Sequence, residues 1–205
     1  MKRVMSTALA VVAGSLAVGT AARAQTLSPN QFAVDGAIGF AVPVGDYGTG
    51  LSTGLDLMGA LEYRPHQTWP LYFRAELGWD HFGVTGPVSA NSDITRFAID
   101  GLYDFTIPHS ALQPYALAGI GIYHVSVSVD QQCTDSEGDL ALVCSSGSNS
   151  STGLGINLGG GLRYQIGRAA QAYFEARYHL PLTGPGALSD SPFLPFQFGV
   201  RYLLR

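Results

Sequence analysis

Lysine is absent from this chain after residue 2, and long apolar runs are absent after the first two dozen residues. Residues 1–24 begin with Lys2 and Arg3, continue with an apolar stretch and end in the small-x-small sequence 22–24, which is typical of a cleaved secretory signal. No later segment reaches the roughly 18 consecutive apolar residues that a membrane helix needs. Any membrane-spanning structure in residues 25–205 would therefore consist of strands.

Basic residues are also scarce in the predicted mature chain. Of the 11 Lys and Arg residues, Lys2, Arg3 and Arg23 belong to the signal, so 8 arginines face 15 acidic residues and the formal net charge is −7. Such a chain has no basic patch for nucleic-acid phosphates, which excludes nucleic acid as a partner. The length of residues 25–205 fits one domain.

Only two cysteines are present, Cys133 and Cys144. Export places them in an oxidising compartment, and both fall in the longest connection between the predicted strands, so we predict a disulfide between them. No histidine lies between them, which disfavours a metal site. We expect no metal and no cofactor.

The period of 3.6 residues that indicates a helix is also missing. Eight segments instead alternate in polarity, as strands do, between clusters of Gly, Pro, Asn, Asp and Ser. One face of these segments is apolar and carries no charge, whereas the opposite face carries eight acids and six arginines. The predicted strands are 31–42, 54–64, 71–81, 94–106, 114–128, 152–166, 172–181 and 193–204.

A soluble β-sandwich or a lipocalin-type barrel would show the same alternation, so alternation alone does not distinguish these folds from a transmembrane barrel. Three further features do distinguish them. The predicted connections alternate between short and long, the segments approach the roughly 9–11 residues of a membrane-spanning strand, and aromatic residues gather near the strand ends. Together they favour a transmembrane barrel. The aromatic residues are Tyr63, Trp69, Tyr72, Trp79, Tyr103, Phe105, Tyr115, Tyr123, Tyr164, Tyr178 and Tyr202.

The final strand carries a motif of its own. Gln197, Gly199, Tyr202 and Leu204 give a polar residue, a glycine and two apolar or aromatic residues at alternating positions. This order resembles the C-terminal assembly signal of bacterial outer-membrane β-barrels, although that family usually ends on an aromatic residue and this chain ends on Leu204 and Arg205. The stretches 39–47 and 113–121 are also similar to the small outer-membrane β-barrel family, which includes the OmpA transmembrane domain and the OmpX/Ail group.

The resemblance covers essentially all of residues 31–205 and implies an all-β, eight-stranded antiparallel up-and-down barrel in the outer membrane of a Gram-negative bacterium. It also implies outer-membrane lipid as surroundings, and barrel-assembly machinery and periplasmic chaperones as partners during biogenesis. We expect a monomer with a structural or surface-interaction (adhesin-like) role. The resemblance names no extracellular ligand.

Eight strands enclose an interior that side chains just fill. We therefore expect the inward charges to pair with one another and plug the lumen, because an unpaired buried charge is very costly. The alternative is a narrow channel for small solutes. The predicted lumen network consists of Glu62, Arg64, Arg74, Glu76, Arg96, Asp100, Arg163, Glu175, Arg177 and Arg201.

A second alternative is enzymatic. His124 and Ser126 lie two residues apart, which resembles the His-x-Ser pair of the outer-membrane lipid A deacylase barrels. A hydrolase also needs an acid to orient the histidine, and Glu175 is the candidate. The alternation of strand 5, however, points the pair into the lumen, away from a lipid substrate. We therefore expect no enzymatic activity.

Overall fold

The computed structural model forms a closed barrel of eight antiparallel strands, each hydrogen-bonded to its neighbours in chain order. It describes residues 31–45, 51–66, 68–83, 90–108, 110–135, 142–183 and 191–204. The predicted fold is confirmed. The strands are β1 (Phe32–Pro43), β2 (Gly54–Tyr63), β3 (Leu71–Gly83), β4 (Ala90–Asp104), β5 (Leu112–Asp135), β6 (Leu142–Gln165), β7 (Ala170–Pro181) and β8 (Phe193–Leu204).

The barrel closes where the last strand meets the first. β1 and β8 form twelve antiparallel residue pairs, from Phe32 opposite Leu204 to Pro43 opposite Phe193. Closure leaves no strand edge exposed along the wall, and in lipid each unpaired backbone group would cost several kcal/mol. We call the end at Phe32 and Leu204 the terminal end, and the opposite end the loop end.

Alternating side chains give the wall an apolar outside and a charged inside. Leu77, Ile99 and Leu158 point outward and are 62%, 51% and 65% exposed, whereas Glu76 and Asp100 on the neighbouring positions are buried. An outer surface of this composition suits acyl chains and would be unfavourable in water.

The orientation predicted for β5 is wrong. The alternation that pointed His124 and Ser126 into the lumen places Tyr115 and Tyr123 on the outer face. Both tyrosines are instead buried in the lumen, while Ile120 and Ile122 face outward and are 67% and 48% exposed. Both faces of this strand are apolar, so its sequence gives the alternation no phase. The neighbouring strand sets it, because the inward-facing Arg96 of β4 lies directly opposite Tyr123.

The hairpin formed by β5 and β6 is longer than predicted. Each strand extends over 24 residues, whereas the sequence patterns predicted that β5 ends at residue 128 and that β6 begins at residue 152. Residues 142–151 include five serines, a composition that is typical of a loop, but they continue the ladder with β5. The connections that follow β3 and β5 are correspondingly shorter than the sequence indicated.

Two parts of the sequence that were interpreted above lie outside the described ranges: the signal segment 1–24 and the last residue, Arg205. No helix in the described part of the chain is long and apolar enough to span a membrane.

Candidate functional site

The charged lumen is the main polar feature of the molecule. All fourteen charged residues assigned to the polar face by the sequence face the interior, and all but Arg64 are buried. Arg64 is half-buried at the terminal end, 3.9 Å from Asp104. The ten residues of the predicted lumen network are thus brought together, and four further acids join them: Asp35, Asp56, Asp80 and Asp104.

Glu62 is the centre of the network near the terminal end. One of its oxygens accepts hydrogen bonds from Arg74 and Arg163, each at 2.9 Å, and the other accepts one from Arg201 at 2.6 Å. Three guanidinium groups therefore converge on one carboxylate. Its neutralisation would leave three buried cations close together.

The network continues toward the loop end through alternating charges. Arg74 donates to Glu175 at 2.8 Å, and Glu175 also pairs with Arg177. Arg177 reaches Glu76 at 2.7 Å, and Glu76 in turn accepts from Arg96 at 3.3 Å. Ion pairs thus run along the barrel axis, which is the arrangement predicted for a plug.

Arg96 ends this series among several acids. It donates to Asp56 at 2.7 Å and to Asp80, and it also contacts Glu76. The amide of Gln197 donates to the second oxygen of Asp56 at 2.6 Å. Among the described residues, the lumen holds eight buried carboxyl groups and five buried arginines, so their summed formal charge is negative.

Tyrosine rings support the arginines near the terminal end. The Arg64 guanidinium lies 4.1 Å above the ring of Tyr72, and Arg163 lies 4.3 Å above the ring of Tyr115. Such cation–π contacts are strengthened by desolvation. Burial lowers the pKa of the Arg64 guanidinium from its ordinary value, and the charge of Arg201 lowers it further.

Three of the aromatic residues near the predicted strand ends do not lie at the membrane boundary. Tyr72, Tyr115 and Tyr123 are at most 3% exposed and line the lumen. Tyr72 shares the charged face of β3, whereas the error for Tyr115 and Tyr123 follows from the wrong orientation of β5. The hydroxyl of Tyr115 donates to Glu175 at 2.6 Å. A tyrosine gives no sign in the sequence of whether its hydroxyl meets headgroups or a buried carboxylate.

An apolar cluster closes the lumen at the loop end. Phe82, Phe193 and Tyr123 are fully buried and meet edge to face, with ring centroids 6.1 and 6.4 Å from Phe193. The ring of His179 stacks on Phe193 at 4.8 Å and shares a hydrogen bond of 2.8 Å with the Tyr123 hydroxyl. This cluster, which also contains Ile94, Ala41 and Val125, separates the charged network from the loop end.

His124 and Ser126 lie on the outside of the wall, contrary to the orientation deduced from the sequence. His124 is exposed, and its Nδ1 shares a hydrogen bond of 2.8 Å with the hydroxyl of Thr152 on β6. Glu175 is buried in the lumen and is engaged by Arg74. The wall therefore separates the two halves of the predicted hydrolase site, and a hydroxyl holds the histidine where a triad has a carboxylate.

The terminal motif divides between the two faces of β8. Gln197 and Gly199 face the lumen, where Gln197 donates to Asp56, whereas Tyr202 and Leu204 face outward and are 53% and 41% exposed. Gly199 leaves room for an aromatic ring from β7. The motif thus contributes two residues to the lumen and two to the outer surface.

The two cysteines lie opposite each other in the backbone ladder. Cys133 of β5 and Cys144 of β6 are Cα partners in the register, which is a placement compatible with the predicted disulfide. In the described residues, no group of three or more His, Cys, Asp or Glu side chains is arranged to hold a metal ion.

Comparisons with known proteins agree with this architecture. The family described as "Outer membrane protein beta-barrel domain" matches residues 8–202. Among solved structures, Neisserial surface protein A is 17% identical with a TM-score of 0.61, over 87% of this chain and 100% of that chain. Ail, the attachment invasion locus protein of Yersinia pestis, is 15% identical with a TM-score of 0.51, over 83% and 96%.

A major outer membrane protein from Thermus thermophilus is 14% identical with a TM-score of 0.51, over 83% of this chain and 98% of that chain. At these identities the similarity to solved structures establishes the fold alone. Among curated proteins, none matches this sequence.

Proposed function

Because the chain belongs to the outer membrane protein beta-barrel domain family and is an outer-membrane protein, we propose that it acts there as a plugged barrel with a surface-interaction role. In barrels of this class the short turns face the periplasm and the longer connections face outward. The β5–β6 hairpin, at the loop end, is the part that would meet partners. The chain would be inserted as a monomer by the barrel-assembly machinery, with periplasmic chaperones.

The observation that carries this proposal is the length of that hairpin. β5 pairs with β4 as far as Val129, and β6 pairs with β7 only from Gly155 onward. Residues 142–145 and 147–150 of β6 pair with β5, and no other described strand pairs with their second edge. An exposed strand edge offers backbone donors and acceptors to an extended segment of another protein.

The packing of the lumen supports a surface role over a channel. A conducting pore needs a continuous path of water, whereas ion pairs and tyrosines fill this interior and the Phe82–Phe193 cluster caps it. Planar-bilayer recordings of refolded protein are expected to show no steady conductance steps. Regular steps that persist across preparations would favour the channel for small solutes.

Adhesion of whole cells tests the role of the hairpin. Val129 and Gly147 lie directly opposite each other, so an Asn-Gly turn can replace residues 130–146 without altering the register. Cells that display the full chain are expected to bind at least one protein of an immobilised extracellular-matrix panel. Cells that display the shortened chain, at equal surface amount, should not bind it.

A Cys133→Ser/Cys144→Ser variant keeps the hairpin at full length and serves as the matched control. If the shortened and full-length chains adhere equally, the hairpin is not the contact surface. If neither binds any member of the panel above the level of empty cells, the adhesin-like role is not supported.

The lipid A hydrolase is the second candidate, because the outward position of His124 and Ser126 removes the lumen orientation that argued against it. This position gives both side chains access to outer-leaflet lipid, which a lumen position would not. Incubation of refolded protein with labelled lipid A, followed by chromatography of the products, tests the candidate. Because the Nδ1 of His124 meets the hydroxyl of Thr152 and no carboxylate, we expect no hydrolysis above that of a Ser126→Ala variant.

A further inference from the structure

The outer surface of β3 to β6 changes from apolar to polar toward the loop end. The change occurs at the same ladder position on β4, β5 and β6, and one outward-facing position nearer the loop end on β3, so the polar side chains are adjacent across the ladder. The last apolar residues are Trp79, Phe97, Ile122 and Leu154, and the polar residues beyond them are His81, Asp93, Thr95, His124 and Thr152, here called the polar strip.

The polar strip also borders apolar residues on β1 and β2. Leu55 of β2 lies directly opposite His81 in the ladder, and Phe40 of β1 lies opposite Leu55. His81 therefore lies beside the apolar band as well as beyond it.

Both imidazoles of the strip are held in a fixed orientation by the neighbouring strand. The Nδ1 of His81 donates to Asp93 at 2.8 Å, and the Nδ1 of His124 shares a hydrogen bond of 2.8 Å with Thr152. In the described part of the chain, the Nε2 atoms of both rings have no partner. Each ring therefore presents one nitrogen outward for a ligand.

The strip lacks the residues that bind phosphate best. The described arginines lie in the lumen or, as with Arg64 and Arg168, at the terminal end, and residues 31–204 contain no lysine. Carboxylate, imidazole and hydroxyl groups together offer both acceptors and donors, which is what sugar hydroxyls require. A phosphate would instead meet the negative charge of Asp93.

Trp79 adds an apolar surface beside these groups. Its ring stacks on His81 with centroids 5.6 Å apart, and the residue remains 36% exposed. An aromatic ring with a polar edge suits a ligand that has both an apolar face and hydroxyl groups, as a sugar ring has.

We propose that the polar strip binds the sugar headgroup of an outer-leaflet glycolipid. Acyl chains that cover Phe97, Ile122 and Leu154 place their headgroups at the border of the apolar band, which is where the strip lies. Sugar hydroxyls would donate to Asp93 and bond the outward nitrogens of His81 and His124, while Trp79 packs against the ring.

Tryptophan fluorescence can report this binding directly. The chain has two tryptophans, so a Trp69→Phe variant leaves Trp79 as the single reporter. This variant, refolded in zwitterionic detergent, would be titrated with lipid A, with phosphatidylglycerol and with inorganic phosphate. We expect a saturable spectral change with lipid A and none with the other two. An equal change with phosphatidylglycerol would show a non-specific lipid surface. Displacement of lipid A by inorganic phosphate would show that the phosphates of lipid A, and not its sugars, are recognised. Either result overturns the proposal.

Variants of the strip locate the site. In the Trp69→Phe background, Asp93→Asn and His81→Ala are each expected to weaken binding by about fivefold, the effect of losing one hydrogen bond. His66→Ala is the matched control, since His66 also bonds a neighbour through Nδ1, the hydroxyl of Thr68, but lies at the terminal end. Unchanged affinity in both strip variants, or an equal loss in the control, would overturn the proposal. Heat-modifiable gel migration verifies that each variant is folded, and neither His81 nor Asp93 belongs to the hydrolase candidate.

Discussion

Gly199 lies directly opposite Tyr173 across the β7–β8 ladder, and the tyrosine ring occupies the space that a side chain at residue 199 would need. A Cβ at this position would lie well inside contact distance of Cζ of Tyr173. Tyr173 is buried in the lumen. The glycine of the terminal motif is therefore required by packing as well as by any recognition during assembly.

Replacement of Gly199 by alanine is expected to destabilise the barrel by about 1–3 kcal/mol, the usual cost of overpacking. Gly36→Ala is the matched control, because a Cβ at Gly36 on β1 would meet nothing within 4 Å. Urea unfolding, followed by heat-modifiable gel migration, measures both variants. Equal stability of the two variants would contradict this account of Gly199.

Neutralisation of Glu62 is expected to be more damaging. In a Glu62→Gln variant, Arg74, Arg163 and Arg201 would lose the carboxylate that they share, at a cost of about 3–5 kcal/mol for a broken buried ion pair. Asp93→Asn removes a partly exposed acid outside the lumen and should cost much less. Urea unfolding of both variants measures the difference, and a Glu62→Gln barrel as stable as the control would contradict the role of Glu62.

A charge on the outer surface should destabilise according to its depth. Leu158 lies within β6 and is 65% exposed, so Leu158→Arg should cost roughly 2–4 kcal/mol in lipid. Leu182 is 52% exposed but lies just beyond the end of β7, and Leu182→Arg should cost about 0–1 kcal/mol. Unfolding from lipid vesicles compares them. A variant that folds as a water-soluble monomer would contradict the membrane-spanning arrangement.

The sequence predicts the architecture because seven strands have one face that excludes charge, which fixes the inside and the outside. The prediction of the orientation of β5 fails because residues such as Leu117 and Ile120 are apolar on opposite faces, so only the pairing with β4 shows which face is inward. The sequence could identify which charged residues lie in the lumen, but it could not identify which arginine pairs with which acid. Contacts such as Arg74 with Glu175, 101 positions apart, depend on barrel closure.

Cys133 and Cys144 are predicted to form a disulfide in the mature protein. Their backbones are direct partners in the β5–β6 ladder, and the chain has no other cysteine to compete. Mass spectrometry of unreduced, protease-digested protein from outer membranes should show the cross-linked peptide. Two thiols that alkylate freely under these conditions would contradict it.

The last prediction concerns closure of the barrel by the end of β8. Tyr202 pairs with both Val34 and Ala170, and Leu203 donates a backbone hydrogen bond of 2.8 Å to Ala169. Deletion of residues 202–205 would expose the start of β1 and of β7 as unpaired edges in lipid, where each unpaired backbone group costs several kcal/mol. The truncated chain is therefore expected to remain in the periplasm, aggregated or degraded.

Removal of Arg205 alone provides the matched control. The ladder between β1 and β8 is complete with Leu204 opposite Phe32, so this shorter truncation keeps every pair of the closing seam and should assemble normally. Heat-modifiable migration of outer-membrane fractions compares the two truncations. Because only the longer deletion opens the wall, a compact barrel in normal amounts after that deletion would show that closure does not depend on these last pairs.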